Sequence, residues 1–453
     1  MKNILMLKFQ RVLAFRYARS MVGMFVASMT VLIVCALPAR AIEIQEVVSP
    51  KGIRAWLVED DSVPLISMRF SFKGGTSQDP SGKEGLANLM TGGLFDEGAG
   101  DLKSDAFQER MDNLGAEMSF SATQDSVSGG IRMLAENRDA VTSLLALAVN
   151  KPRFDQDAVD RIRQQVVASI EASQRDPSTI ASRKFSEVLY GNHPYARPND
   201  GTVKSLQLIT GDDLVNFHRR NFARDHLTIG VVGAINAQDL GALLDKVFGE
   251  LPAMAELVPV PDAKLALGTT TSLNFDMPQT SISFVYPAIP RKDPEFFAAY
   301  LMNHILGGGF TSRLYAEVRE KRGLAYSVSS SMVLRDHVSA LMISTATRPD
   351  KAQESLKIIR EQVAAMAADG PTEEELAAAK SFLKGGSYAV NNLDSSAAIA
   401  ETLVSLQEAG LPRDYIDRRS ELIEAVTLDQ VKAIARKLLE AEPAILIFGP
   451  AQS

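Results

Sequence analysis

The chain has 453 residues, a formal net charge of −7, 46% hydrophobic and 23% charged residues. That is enough chain for two or more hydrophobic cores, and the composition excludes a disordered or collagen-like protein. The acidic balance argues against nucleic acid or another polyanionic surface as a partner.

The first segment stands apart from the rest. Lys2, Lys8, Arg11, Arg16 and Arg19 make a basic start without acids, an apolar run follows from about Met21 to Leu37, and Ala39-Arg40-Ala41 closes it. That order is expected of a secretory signal peptide over residues 1–41, cleaved after Ala41. The competing reading of the same run is a retained membrane anchor. Cleavage removes those five basic residues, Arg40 and the single cysteine, Cys35. The mature chain is then more acidic and indifferent to redox state. The expected location is the periplasm.

Gly115-Ala116-Glu117-Met118-Ser119-Phe120 opens a strand pair that runs to about Met133, and a helix starts near Asn137. Thr210 is placed to N-cap an amphipathic helix, and Leu227 to Gly233 reads as a strand that stops at glycine. The Pro- and Ala-rich stretch Leu251 to Gly268 reads as a linker. Gly307 to Gly309 has neither the Lys-Ser/Thr ending of a P-loop nor Rossmann spacing. It reads as a flexible turn before a helix at Thr311.

Beyond the linker the same order recurs. A strand pair runs from Gly323 to about Thr345, a helix starts near Pro349, Thr427 caps a second amphipathic helix, and Ala444 to Gly449 forms a strand ending at glycine. The chain therefore reads as two copies of one unit. Adjacent strand pairs and helices in blocks predict an α+β fold with mostly antiparallel sheets. The expected organisation is two homologous domains, residues 42–250 and 269–453, joined by 251–268 and facing each other across a cleft, where ligands are preferred.

Several segments carry a resemblance. They are Phe72-Lys73-Gly74-Gly75-Thr76-Ser77, Gly85 to Gly98, Gly191-Asn192-His193-Pro194-Tyr195-Ala196-Arg197-Pro198, and above all Gly307 to Tyr315 with Val318 to Ser327. Together they resemble the insulinase/pitrilysin-like peptidases, the inverted zincins, over nearly all of the mature chain. The resemblance implies that Gly85 to Gly98 stands where that family has its zinc helix. The family's first His falls on Asn88, its catalytic Glu on Thr91 and its second His on Gly92, while its third ligand falls near Ala168 or Ser169. Asn and Thr are poor zinc ligands and Gly offers no side chain. Glu171 is near the third position but on another helix face. His193, His218, His226, His304 and His337 form no His-x-x-x-His pair, and a surface or capping role is expected of each. No cofactor is expected in this chain.

The same resemblance matches Arg319 and Tyr326 to the Arg and Tyr that the family's second domain presents to the active site. Arg offers planar charged donors to a substrate carbonyl, and a Tyr hydroxyl can donate to an oxyanion. On the residues alone, Arg319 is one of a run of helix charges and Tyr326 a strand aromatic. Some members of the family work as two different chains, one supplying the zinc and the other the Arg–Tyr pair. The implied function is a non-catalytic subunit of an exported heterodimeric zinc endopeptidase acting on peptides or unfolded protein, with zinc in the partner. The alternatives are a peptide-binding clamp that works by strand addition and a purely structural subunit.

Overall fold

The computed structural model describes residues 43–385 and 393–450. The signal segment expected over residues 1–41 lies outside the described residues.

The first half builds a six-stranded sheet in the order β1-β2-β8-β3-β7-β6. Its strands are β1 (Gln45–Val48), β2 (Arg54–Glu59), β3 (Leu65–Lys73), β6 (Glu117–Ala122), β7 (Ser126–Leu134) and β8 (Leu227–Gly233). A small hairpin of β4 (Gly98–Ala99) and β5 (Leu102–Lys103) stands beside it. The second half builds a five-stranded sheet from β9 (Thr270–Asn274), β10 (Thr280–Pro287), β11 (Ala325–Arg335), β12 (Val338–Thr347) and β13 (Ala444–Gly449), in the order β11-β12-β10-β13-β9. Each sheet has one parallel pair, β2 with β8 and β9 with β13, and is otherwise antiparallel. Taken from its β9 edge, the second sheet repeats the first strand for strand without β1. The fold is α+β with two mixed, mostly antiparallel sheets flanked by helices.

Local chemistry sets the element ends. Thr210 and Thr427 each form a full capping box, with Asp213 and Gln430 answering from three residues on. The strands between alternate apolar faces. Ile229 and Val231 of β8 enter the first core, and Ile445 of β13 enters the second.

The opposite face of each sheet needs its own cover, and each half receives it from the other. Helix Ser396–Glu408, from the second half, lies on β8 and β3 of the first sheet. Its Gln407 donates to the Ile229 carbonyl at 2.9 Å, and Glu408 accepts from the Ser71 hydroxyl at 2.6 Å. Helix Pro177–Tyr190, from the first half, lies on β13 and β9 of the second sheet. There Ala181, Phe185 and Leu189 pack with Val285, Ala444, Leu446 and Phe448. The two halves are thus interlocked by a reciprocal exchange of helices. Residues 251–268 contain no helix or strand and are held down at several points; for one, the Gln78 side-chain amide accepts from the Val258 N–H at 2.7 Å and donates to the Val258 carbonyl at 3.0 Å.

Candidate active site

The helix that resembles a zinc helix is short, Leu86–Thr91, and ends at Gly92. Asn88 donates to Asp200 at 3.0 Å. Thr91 is buried and its hydroxyl donates back to the Ala87 carbonyl of its own helix at 3.0 Å, a common use of a mid-helix Thr. Gly92, Ala168, Ser169 and Glu171 are exposed. Among the described residues no group of three or more His, Cys, Asp or Glu side chains could hold a metal. Asn, Thr and Gly are unsuited to zinc, and these positions are spent on hydrogen bonds and a helix end.

The histidines have other roles. His193 caps a turn, accepting from the Tyr195 N–H at 3.1 Å, and His226 is exposed. His218 and His304 depart from the surface or capping role expected of them. His218 meets the Val149 carbonyl at 2.8 Å and His304 stacks on Phe382 at 4.8 Å, and burial lowers the pKa of both. The His-Pro-Tyr turn ties the halves together. Tyr195 bonds Asp125, its oxygen accepts from the His337 N–H at 3.2 Å, and the Arg335 guanidinium lies 5.3 Å from its ring centre. Beside this tie, a cavity of about 540 Å³ opens between the halves, lined by Lys73, Asp125, His226, Arg335, Asp336 and Glu408 among others.

Asp79, not singled out by sequence, braces the degenerate helix. It is buried, and its carboxylate accepts from the Gly85 and Ala87 N–H groups at 2.8 and 3.0 Å. Burial pushes its pKa up to about 7, against the downward pull of those donors. The folded value lies above the unfolded one, so the native state holds the proton longer. Stability from this group is complete below about pH 4 and is lost as pH rises through about 7. Denaturant unfolding across that window is expected to show falling stability, and Asp79→Asn is expected to flatten it. An equal slope in the variant would refute the assignment.

The structure brings Arg319 and Tyr326 together. Arg319 lies in a π-helical stretch, Tyr315–Glu320, a form often found at functional sites. Leu314 and Val318 anchor this segment in the core, which leaves Arg319 at the rim. Gly323, at φ +59°, reverses the chain into β11. The β11–β12 register then shifts between Ala325 and Val328. Bulges of this kind re-aim side chains, and Tyr326 stands 83% exposed. The Arg319 guanidinium lies 4.8 Å from the Tyr315 ring centre and 5.3 Å from that of Tyr326.

The neighbouring charges are spent. Arg313 grips Glu375 through two bonds of 2.6 and 2.7 Å, and Lys321 and Arg322 both pair with Glu317. Among the described residues, no carboxylate or carbonyl takes a hydrogen bond from the Arg319 guanidinium, and none pairs with the Tyr326 hydroxyl. Aromatic rings hold the Arg319 charge without consuming its N–H donors. The arrangement suits a carbonyl or oxyanion arriving from outside and differs from the solvated run of helix charges that the residues alone allowed. Tyr315, which supports Arg319 from below, was legible only as a string member.

The Gly307–Gly309 segment is not the flexible turn expected. A Cβ on Gly307 would stand 2.7 Å from the Ser330 backbone nitrogen, and one on Gly308 would stand 2.6 Å from the His304 Cα. Gly307 and Gly308 let the turn press against strand β11 and helix Phe296–Gly307, so their use is close approach, whereas a Cβ on Gly309 would have ordinary room at 3.5 Å from the His304 ring. The helix expected at Thr311 begins at Arg313.

Comparison with known proteins finds relatives that span both halves. Residues 55–203 match the family model for the insulinase peptidases, family M16, and residues 208–383 match the model described as the peptidase M16 inactive domain. An uncharacterized zinc protease of Mycobacterium tuberculosis is 29% identical over 346 residues, covering 76% of this chain and 78% of that protein. A non-peptidase homolog of Helicobacter pylori is 24% identical over 403 residues, covering 87% and 91%. The crystal structure of a peptidase M16 inactive domain from Pseudomonas fluorescens matches with a TM-score of 0.83 at 31% identity, covering 90% of this chain and 98% of that one.

Proposed function

Since the chain belongs to the M16 (insulinase) peptidase family yet carries Asn88, Thr91 and Gly92 at the zinc positions, we infer that it is the non-catalytic subunit of a heterodimeric zinc endopeptidase. One observation carries the reading: among the described residues no side-chain group could hold a metal, while Arg319 and Tyr326 stand adjacent with donors that no described residue takes up. A zinc ion in the partner subunit would supply a hydroxide nucleophile at neutral pH. This chain would hold the peptide carbonyl through Arg319 and stabilise the developing oxyanion through the Tyr326 hydroxyl. The pair would act outside the cytoplasm, after loss of residues 1–41. The substrate would be a peptide or unfolded protein. A peptide clamp without peptidase activity is a second reading, favoured by the cavity between the halves.

Purification of the tagged chain from its host tests these readings. The expected result is a mature chain beginning at Ile42 that co-purifies with a homologous subunit bearing an intact His-x-x-Glu-His. The pair should cleave peptides and carry about one zinc, which stays with the partner on separation; structural and catalytic ligand sets hold zinc tightly. Stoichiometric zinc on the isolated chain, or a chain that pairs with no such subunit, would overturn the heterodimer.

A further inference from the structure

The largest exposed rings of the second half gather around the Gly307–Gly309 turn and Arg319. Phe310 is 79% exposed and meets the Tyr315 ring edge-on, with centres 5.2 Å apart. Phe382 is 53% exposed and stacks on His304, whose ring lies under Gly309 at 3.5 Å from the position of a Cβ. The tightness of the glycine turn against His304 leaves Phe310 on the outer surface instead of in the core beneath. An exposed Phe gains from burial against an apolar group.

Arg319 tells what that group belongs to. Its guanidinium and the Phe310 ring both contact Tyr315, at 4.8 and 5.2 Å from its centre. The two are therefore no more than roughly 10 Å apart, about three residues of extended chain. A peptide whose carbonyl is held by Arg319 would place a nearby side chain on Phe310.

We propose that Phe310 is the specificity-determining residue of a side-chain subsite carried by this chain, taking a bulky apolar residue of the peptide within three positions of the carbonyl held by Arg319. The inference rests on the reading that Arg319 binds peptide, but it does not require zinc or turnover. The rings supply apolar contact area and edge-to-face geometry for Phe, Leu or Met. Phe310 and Phe382 offer no hydrogen bond to an Asp or Ser side chain.

The test is peptide binding to the isolated full chain, using short blocked peptides that differ at one position as Phe, Leu, Ser or Asp. The chain is expected to bind the Phe and Leu peptides about tenfold more tightly than the Ser peptide, the scale of burying one apolar side chain in a partly open site. Phe310→Ser should erase that preference, Phe310→Trp should keep it, and Arg319→Ala should weaken every peptide alike. Phe310 is exposed, so unchanged thermal melting should show that each variant folds. No binding at millimolar peptide, no preference in the parent chain, or a preference that survives Phe310→Ser would overturn the subsite. A Phe310→Ser variant that fails to pair with a partner subunit while keeping its preference would show that the partner covers the patch, and would also overturn it. Turnover of the reconstituted pair, read through Tyr326→Phe, tests the shared active site separately.

Discussion

Replacing Tyr326 by Phe in the assembled, active complex is expected to lower turnover on the order of a hundredfold, the usual cost of one oxyanion donor. Tyr326 is 83% exposed and its hydroxyl has no partner among the described residues, so the change should leave folding and assembly intact. The retained ring can still support the Arg319 guanidinium, which lies 5.3 Å away. The loss should therefore fall on kcat, because the missing donor acts on charge that develops in the transition state. Arg319→Ala should raise KM as well as lower kcat, because it removes a charged clamp on the bound carbonyl. Thr91→Ala is the control. The Thr91 hydroxyl bonds only its own helix, to Ala87 and Asn88. Its loss should cost about 1 kcal/mol of stability and leave turnover unchanged. Steady-state kinetics on the reconstituted pair decide the matter. Unchanged turnover in both Tyr326→Phe and Arg319→Ala would leave this chain as a scaffold or a peptide holder.

The second large effect concerns the exchange of helices. Gly230→Val is expected to destabilise the protein by about 3 kcal/mol or more, at the upper end of overpacking costs. Gly230 lies in β8 with its bare side toward helix Ser396–Glu408. A Cβ there would stand 2.5 Å from the Ala400 carbonyl oxygen and 2.8 Å from the Leu403 Cβ. Backbone cannot yield as a long side chain can, so the helix must lift from the first sheet. Lifting also opens the Gln407–Ile229 and Glu408–Ser71 bonds. Val favours strands, so any loss reflects the clash and not backbone preference. Gly241→Ala provides the contrast. Gly241 is helical, and its nearest neighbours would be 3.8 Å from a new Cβ. That change should be neutral or should stabilise by up to about 1 kcal/mol through helix propensity. Equal denaturant midpoints for Gly230→Val and the parent would refute the close packing of this helix on the sheet.

Much of the fold was legible because its signals are local. A Thr three residues ahead of Asp213 or Gln430 specifies a helix start through bonds within one turn, and both helices begin at those threonines. Strand pairs such as β6–β7 announce themselves through alternation and a short connection. The repeat was legible because both copies use these same local signals. Partner choice across the fold was not. The apolar faces of Pro177–Tyr190 and Ser396–Glu408 show that each helix needs a sheet to cover, but amphipathicity carries no address. Each proved to cover the sheet of the other half.

The site divides in the same way. Loss of the zinc ligands at Asn88, Thr91 and Gly92 is a matter of side-chain chemistry, and the sequence alone determines it: no fold turns Thr and Gly into a metal site. The repeat, the α+β class and the missing general base belong to the same level. Tertiary structure alone decided that Arg313 is spent on Glu375, while Arg319 lies against two rings with no ion pair among the described residues; the Lys321 and Arg322 pairs with Glu317 are local. It decided that Gly307 and Gly308 serve close approach, because only the neighbouring Ser330 and His304 reveal the absent space for a side chain. It also decided that Phe310 and Tyr326 face outward, through a packed turn and a shifted strand register. The Arg313–Glu375 and Gly307–Ser330 contacts join residues on different elements, and sequence spacing alone does not record their distance in space.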